Sequence, residues 1–402
     1  MIESYIKREL YLERLRPYIG KSLIKVIVGQ RRVGKSFLLF QIMDELLARG
    51  CKEKNIIYIN KEKLEFDYIR DYKDLVSHVK KQAKKNKIKA IFIDEIQDIE
   101  SFEKALRHWH AEDKYDIYCT GSNANLLSGE LSTFLSGRFI EVEVFSLSYV
   151  EFLDFHKLKN NKESLLKYIR YGGLPYLVNL ELTDIVVFGY LKNIYSTIVL
   201  NDIVARFGLR NVVFLEKLIE YLADNIGSLV SAKKISDFLK SQKIKISSQV
   251  VLNYLSNLVA AFIVFKVSRT DIHGKKIFEI NEKYYFEDLG LRNSLIGYNL
   301  EDIGKVLENL VYMHLRINGY TVFVGQLGVK EVDFVAEKNG EKLYIQVAYL
   351  IINEATRKRE FGNLLAIGDN YPKMVVSMDD IAGGKYKGIE HVNIIDFLSK
   401  KI

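Results

Sequence analysis

The chain has 402 residues, of which 48% are hydrophobic, 27% charged and only 3 are proline. That length suits roughly two or three domains, and the composition excludes disordered and fibrous classes. Lys and Arg (59) outnumber Asp and Glu (51), a net charge of +8 that favours an anionic partner. Cys51 and Cys119 have no second Cys or His at metal-ligand spacing, so a disulfide framework is excluded and a reducing, cytoplasmic compartment is expected.

The amino terminus is broken by charges every few residues and lacks the apolar stretch of a signal peptide. The longest clean apolar run, Leu258 to Phe265, has eight residues, against the ~20 that a helix needs to cross a bilayer. No membrane span is expected. From Ile24 to about Phe145, the β-type runs KVIVG, NIIYIN, AIFID, YDIYCTG and RFIEVEV alternate with charged, helix-periodic stretches. This alternation predicts a parallel sheet covered by helices. From about Leu147 the pattern turns helical, with a long periodic segment from Thr183 to Phe207 that reads as a lid or linker.

Asn211 to Arg292 reads as three helices followed by a hairpin around Asp271-Ile272-His273-Gly274, which suggests a winged helix-turn-helix. Beyond Ile303 the order is helix, three strands, helix and strand, a second α/β unit. The predicted organisation is therefore α/β, with a core over 1–155, a helical lid or linker over 156–210, a winged helix over 211–295 and a small α/β domain over 300–402. No internal repeat or low-complexity tract is evident.

Gly29-Gln30-Arg31-Arg32-Val33-Gly34-Lys35-Ser36 has the spacing G-x-x-x-x-G-K-[ST] and lies between a predicted strand and a predicted helix. In that context the loop amides and the helix N-terminus, from Gly29 to Phe37, face a triphosphate. Lys35 reaches the β and γ oxygens, and Ser36 holds Mg²⁺. The strand Ala90-Ile91-Phe92-Ile93 ends in Asp94 and Glu95. Asp94 is the expected metal partner through water, and Glu95 the base that activates the attacking water. At the end of the next strand, in Thr120-Gly121-Ser122-Asn123, Asn123 is chosen over Ser122 as the γ-phosphate or water sensor, with a loop or cap role as the competing reading. Arg138, in Ser136-Gly137-Arg138, is a candidate to stabilise charge during phosphoryl transfer, in cis or from a neighbouring subunit. A surface salt bridge is its alternative use.

With these residues and the later Tyr171-Gly172-Gly173-Leu174-Pro175, the chain resembles AAA-type P-loop ATPases related to the archaeal ATPases and to the STAND class. The resemblance implies ATP with Mg²⁺ as cofactor, and it carries over Gly173 and Pro175 as contacts to the base. A structural turn after a helix explains the same Gly-Gly-Leu-Pro run. It also implies a winged helix and a small restriction-endonuclease-like domain after the ATPase.

In that nuclease-like pattern Glu308, Asp333 and Gln346-Val347-Ala348 occupy the positions of a helix Glu, a strand Asp and an E-x-K tripeptide. Gln346 offers only a neutral carbonyl where a cation prefers carboxylate, and Ala348 has no amine. Cleavage is therefore expected to be impaired, with Lys358 the one conceivable replacement for the amine. In the winged helix, for which a lid or docking module is the competing reading, Ser247, Ser248, Gln249, Asn253 and Asn257 are the candidate base contacts. Lys240, Lys243, Lys245, Arg269, Lys275 and Lys276 are the candidate phosphate contacts. Six lysines between Lys80 and Lys89 read as a solvated helix end or as a nucleic-acid patch. The expected function is an ATP-hydrolysing switch coupled to DNA through its C-terminal half. The alternatives are a switch acting on a protein partner and an ATP-dependent nuclease. An action of Arg138 in trans requires a homo-oligomer.

Overall fold

The five apolar runs between Ile24 and Glu143 become the strands of one sheet: β1 (Ile24–Val28), β2 (Ile56–Asn60), β3 (Ala90–Asp94), β4 (Asp116–Gly121) and β5 (Phe139–Glu143). The structure is a computed structural model that describes residues 5–127, 135, 137–241, 245–272, 277–380 and 383–400. The strands run parallel in the order β2-β3-β4-β1-β5. β1 and β3 are buried at every position, as central strands covered on both faces must be. The Lys25 ammonium, buried in β1, pairs with Asp116 and stands 5.0 Å over the Tyr118 ring.

Helices α1 (Glu9–Leu15), α2 (Lys35–Ala48), α3 (Tyr72–Lys85) and α4 (Phe102–Glu112) belong to the same unit. α4 buries Phe102, Ala105, Leu106 and Trp109, the i, i+3, i+4, i+7 stripe that seats a helix on a sheet. α3 starts where Asp71 accepts from the Lys73 and Asp74 amides, two of the donors a helix leaves unpaired at its first turn. Because all five strands are parallel, their carboxyl ends share one edge, the edge at which open α/β sheets bind ligands.

The chain divides into two compact units, Met1–Phe145 with Ala260–Phe262, and Ser146–Val259 with Ile263–Ile402. The first unit closes after β5, and the helix that follows Ser146 belongs to the second unit. That unit begins with α5 (Tyr149–His156), α6 (Lys162–Tyr171) and α7 (Asp184–Thr197), and α7 continues through wider π-type turns over Ile198–Ala205. Next come α8 (Val212–Asp224), α9 (Ala232–Ser241), α10 (Ser248–Ala260), the strands β6 (Val264–Asp271) and β7 (Ile277–Phe286), and α11 (Leu289–Ile296). Arg292, fully buried, donates to the Ala223 carbonyl at 2.9 Å and to Asp302 at 2.9 Å, so α11 is tied to the end of α8.

The remaining elements are α12 (Ile303–Ile317), β8 (Thr321–Leu327), β9 (Lys330–Lys338), β10 (Glu341–Val347), α13 (Glu354–Leu365), β11 (Lys373–Ser377), β12 (Gly384–Tyr386), β13 (Ile389–Asn393) and α14 (Ile394–Ser399). All eight strands of this unit form one mixed sheet, β12-β13-β11-β10-β9-β8-β6-β7. The hairpin of the expected 211–295 domain is thus hydrogen-bonded, through β6 and β8, to the strands of the expected 300–402 domain. Backbone pairing thus joins the two stretches within one sheet. Phe361 and Leu364 of α13 pack with Val332, Val335, Tyr344, Val375 and Ile389 into the core of this sheet. Among the described residues no helix is long and apolar enough to cross a membrane.

Candidate nucleotide site

β1 ends at Val28 and the chain turns through Gly29 to Gly34 into α2. A Cβ on Gly29 would stand 2.1 Å from the Val144 carbonyl oxygen, so this first loop position admits no side chain. Gly34, the residue before α2, has φ +97°, a conformation that only glycine adopts without strain. Arg8, buried, donates to the Val33 carbonyl at 2.9 Å and to the Phe145 carbonyl at 2.8 Å, and so fastens the loop to the end of β5. Gln30 is buried and its side-chain amide donates to the Phe262 carbonyl at 2.9 Å. Arg31 pairs with Glu62 at 2.7 Å, Val33 is buried, and Arg32 and Phe37 are exposed.

Lys35, 4% exposed, donates to the Gly29 and Gln30 carbonyls, both at 3.0 Å, and its ammonium lies 3.6 Å from Glu95. Asp94 ends β3 and accepts from the Thr120 hydroxyl on β4 and from the Tyr58 hydroxyl at 3.1 Å on β2. Burial pushes the Asp94 carboxyl up, while hydrogen bonds from Thr120, Ser36 and Tyr58 oppose it. Burial works to raise Glu95 as well, but the Lys35 ammonium and the Gln97 amide prevail and hold it below the usual carboxylate range. Glu95 itself has φ +56°, a strained conformation for a side-chain-bearing residue of the kind found at functional sites. Its amide donates to Thr120 at 2.9 Å.

Loop, lysine, hydroxyl and two carboxylates therefore converge at the carboxyl edge of the sheet. A hydroxyl and a carboxylate touching each other are the oxygen donors that Mg²⁺ takes, so Ser36 and Asp94 fit the ion. Asn123, half-buried, follows β4 at the same edge. Ser136 lies outside the described residues. Arg138 does not belong to this group. Its carbonyl accepts from the Ile24 amide at 2.9 Å, at the edge where β1 and β5 begin, while the phosphate loop opens where they end. Four residue steps of β1, at ~3.3 Å each, separate the two edges. The reading of Arg138 in cis is thereby corrected: it cannot reach the loop of its own chain.

Gly173 and Pro175 lie in the second unit. The Gly173 amide donates to the buried Asp288 carboxylate at 2.7 Å, and Pro175 opens a short 3-10 turn. Thr120, Tyr58, Gln97 and Arg8 were not singled out by sequence. Only Thr120 left a signal, as the polar residue at the end of an apolar strand.

A second charged cluster lies within the C-terminal sheet. Lys283 of β7, 3% exposed, places its ammonium 2.7 Å from Glu308, 2.9 Å from Glu331 and 3.9 Å from Asp333. The Tyr285 hydroxyl donates to Glu308, and the Val347 amide donates to Asp333 at 2.8 Å. Gln346 is buried. Burial works against the Lys283 charge, but Glu308, Asp333 and Glu331 outweigh it and hold the ammonium above the usual lysine range. The lysine beside these carboxylates is thus Lys283, and Lys358 is exposed on α13. Its sequence signal was a charge inside the run Lys283-Tyr284-Tyr285-Phe286.

Gln249 and Asn253 are exposed on α10, as is Ser247 just before it. Arg269, expected on a phosphate, is half-buried and donates to Gln326 of β8 instead. Lys243, His273, Gly274, Lys275 and Lys276 lie outside the described residues.

The AAA domain pattern matches residues 21–153, and a Domain of unknown function (DUF8612) matches residues 162–302. An uncharacterized protein of Haemophilus influenzae is 38% identical over 99% of this chain and 100% of its own length. The uncharacterized protein MJ1544 of Methanocaldococcus jannaschii is 31% identical over 84% of this chain and 77% of its own. Among solved structures, the Walker-type ATPase PABY2304 of Pyrococcus abyssi is similar in fold with a TM-score of 0.50 and 17% identity, covering 73% of this chain and 96% of that one.

Proposed function

The chain belongs to the archaeal-ATPase-related P-loop family with an AAA domain, together with its Haemophilus and Methanocaldococcus relatives, and from that membership we propose an Mg²⁺-dependent ATP-hydrolysing switch. The observation that carries the reading is the convergence of Lys35, Ser36, Asp94 and Glu95 at one sheet edge. In this reading the loop amides and the α2 N-terminus hold the triphosphate. Ser36 and Asp94 hold Mg²⁺, which when bound neutralises charge on the β and γ oxygens.

Lys35 and Glu95 lie 3.6 Å apart, and that contact suggests the order of events. A triphosphate takes the Lys35 ammonium, which frees the Glu95 carboxylate to orient and deprotonate the attacking water. Asn123 would sense the γ-phosphate. Arg138, exposed at the opposite edge, would serve the nucleotide of a second copy. Hydrolysis would then release a nucleotide-ordered arrangement, as in other γ-phosphate switches.

The test is ATP binding and turnover by the full chain. Lys35→Ala should lose nucleotide binding. Glu95→Gln should bind ATP yet turn it over at least ~100-fold more slowly, the scale of one general base. Normal turnover in Glu95→Gln would sink the assignment.

DNA is the favoured partner, with Ser247, Gln249 and Asn253 available for base edges. A protein partner is the second reading. It is favoured by the pairing of Lys266 with Glu282 at 3.0 Å and by the turn of Arg269 toward Gln326, which remove cations from the hairpin. The nuclease reading has least support, since the Lys283 ammonium stands among the carboxylates where a shared metal ion would need to be.

A further inference from the structure

A groove of about 610 Å³ runs along the first unit between α3 and α4. Tyr72 and Val76 line it together with five lysines, Lys73, Lys80, Lys81, Lys84 and Lys104. We propose that this groove holds the phosphate backbone of a nucleic acid strand. The proposal goes beyond the ATPase reading and does not depend on it.

No carboxylate lines the groove. Asp74, the acid of α3, accepts from the Arg70 amide at 3.1 Å, and Glu112 at the end of α4 meets His108 at 3.7 Å and Lys114 at 3.8 Å. Among the described residues Lys80, Lys81 and Lys84 make no ion pair. Lysines in the last turns of a helix suit its dipole, and that explains Lys84 without a ligand. It does not explain Lys73, in the first turn of α3, or Lys104, in the first turn of α4. There the dipole disfavours a cation, and both ammonium groups instead hang over the Tyr72 ring, at 6.0 and 5.1 Å. A cation held against the dipole on each wall points to an anion between them.

The walls are built in advance. The Tyr72 amide donates to the Glu100 carbonyl at 3.0 Å and the Glu100 amide to the Arg70 carbonyl at 2.9 Å. These bonds fix the starts of α3 and α4 side by side, so little ordering is needed on binding. From Lys73 to Lys84 the helix rises ~16 Å at ~1.5 Å per residue. One nucleic acid strand sets about five phosphates along that length at ~3.4 Å each. Five ammonium groups thus face about five phosphates. A concave, linear site suits a strand better than a flat lipid surface. With only Tyr72 and His108 as rings among five lysines in the lining, contact should be chiefly to the backbone, with little sequence preference.

The test is fluorescence anisotropy of labelled duplex and single-stranded DNA with the full chain, without nucleotide, between about 50 and 200 mM salt. With about five phosphate contacts the wild type should weaken by roughly 500-fold across that range. The variant carrying Lys73→Gln, Lys80→Gln, Lys84→Gln and Lys104→Gln should flatten the log–log salt slope by about three to four units. Its melting temperature and DNA-free ATP turnover should stay unchanged. The companion variant Lys240→Gln with Lys245→Gln should keep the wild-type slope. A four-lysine variant that binds as the wild type does would overturn the proposal. So would a slope carried by Lys240 and Lys245, which would leave the ATPase switch standing. Binding of poly-glutamate or of phosphatidylserine vesicles in place of DNA would equally refute it.

Discussion

His314 lies buried on α12 with its ring 5.0 Å from that of Phe397, and burial pushes its pKa down to about 4. The unfolded chain, with a histidine near 6.5, therefore takes up a proton across a window in which the folded chain does not. Stability falls as pH falls through that window, from near 6.5 toward 4. Between about pH 7 and pH 5 the wild type should lose ~2 kcal/mol more than His314→Gln in urea unfolding, and parallel losses would refute the assignment. Glu95 has the opposite sense, since its neighbours favour the charged form. As Lys35 holds Glu95 only in the nucleotide-free chain, kcat/KM for ATP should persist on acidification through the usual carboxylate range, whereas kcat should fall at higher pH. Lys35 and Ser36 were legible because a phosphate loop demands fixed spacing along the chain, and Asp94 because it ends an apolar strand. Tyr58 and Arg8 were not, because they come from elements far away in sequence and carry no motif.

The hairpin β6–β7 carries a buried cation. Its Lys283 is the cation against which Glu308 of α12 and Glu331 and Asp333 of β9 are balanced. Removing one partner of a buried ion pair leaves uncompensated charge, so Lys283→Met should cost about 3–5 kcal/mol. The loss should be greater near pH 8 than near pH 5, because protonation relieves the repulsion among the three acids. Thermal unfolding of Lys283→Met and of the double variant with Asp333→Asn checks this, and the second substitution should restore part of the loss. The order helix, three strands, helix and strand after Ile303 was legible from periodicity, while the later β13 and α14 were not read. β12, three residues long, offers no period to read. The pairing of β6 with β8 is a contact between distant parts of the chain, so local pattern could not show that a predicted wing and a predicted separate domain share one sheet.

At the scale of the whole molecule, the parallel order β2-β3-β4-β1-β5 places Arg138 and the phosphate loop at opposite edges. A chain that uses both must therefore use them on different nucleotides, its own at the loop and a second copy's at Arg138. Sequence order could not separate cis from trans, because it does not say at which end of a strand a loop emerges relative to another. If Arg138 stabilises transition-state charge, Arg138→Ala should lower turnover by about 10³-fold or more while leaving ATP affinity intact. Lys35→Ala should be inactive for a different reason, since its own pocket is spoiled while its arginine remains. Mixing the two inactive proteins then pairs an intact pocket from one with an intact arginine from the other. The mixture should recover a measurable share of wild-type turnover, rising with total protein concentration as the copies associate. Turnover that stays at the level of the separate variants at every mixing ratio would show that Arg138 serves no neighbouring nucleotide, and would leave it as a surface charge at the start of β5.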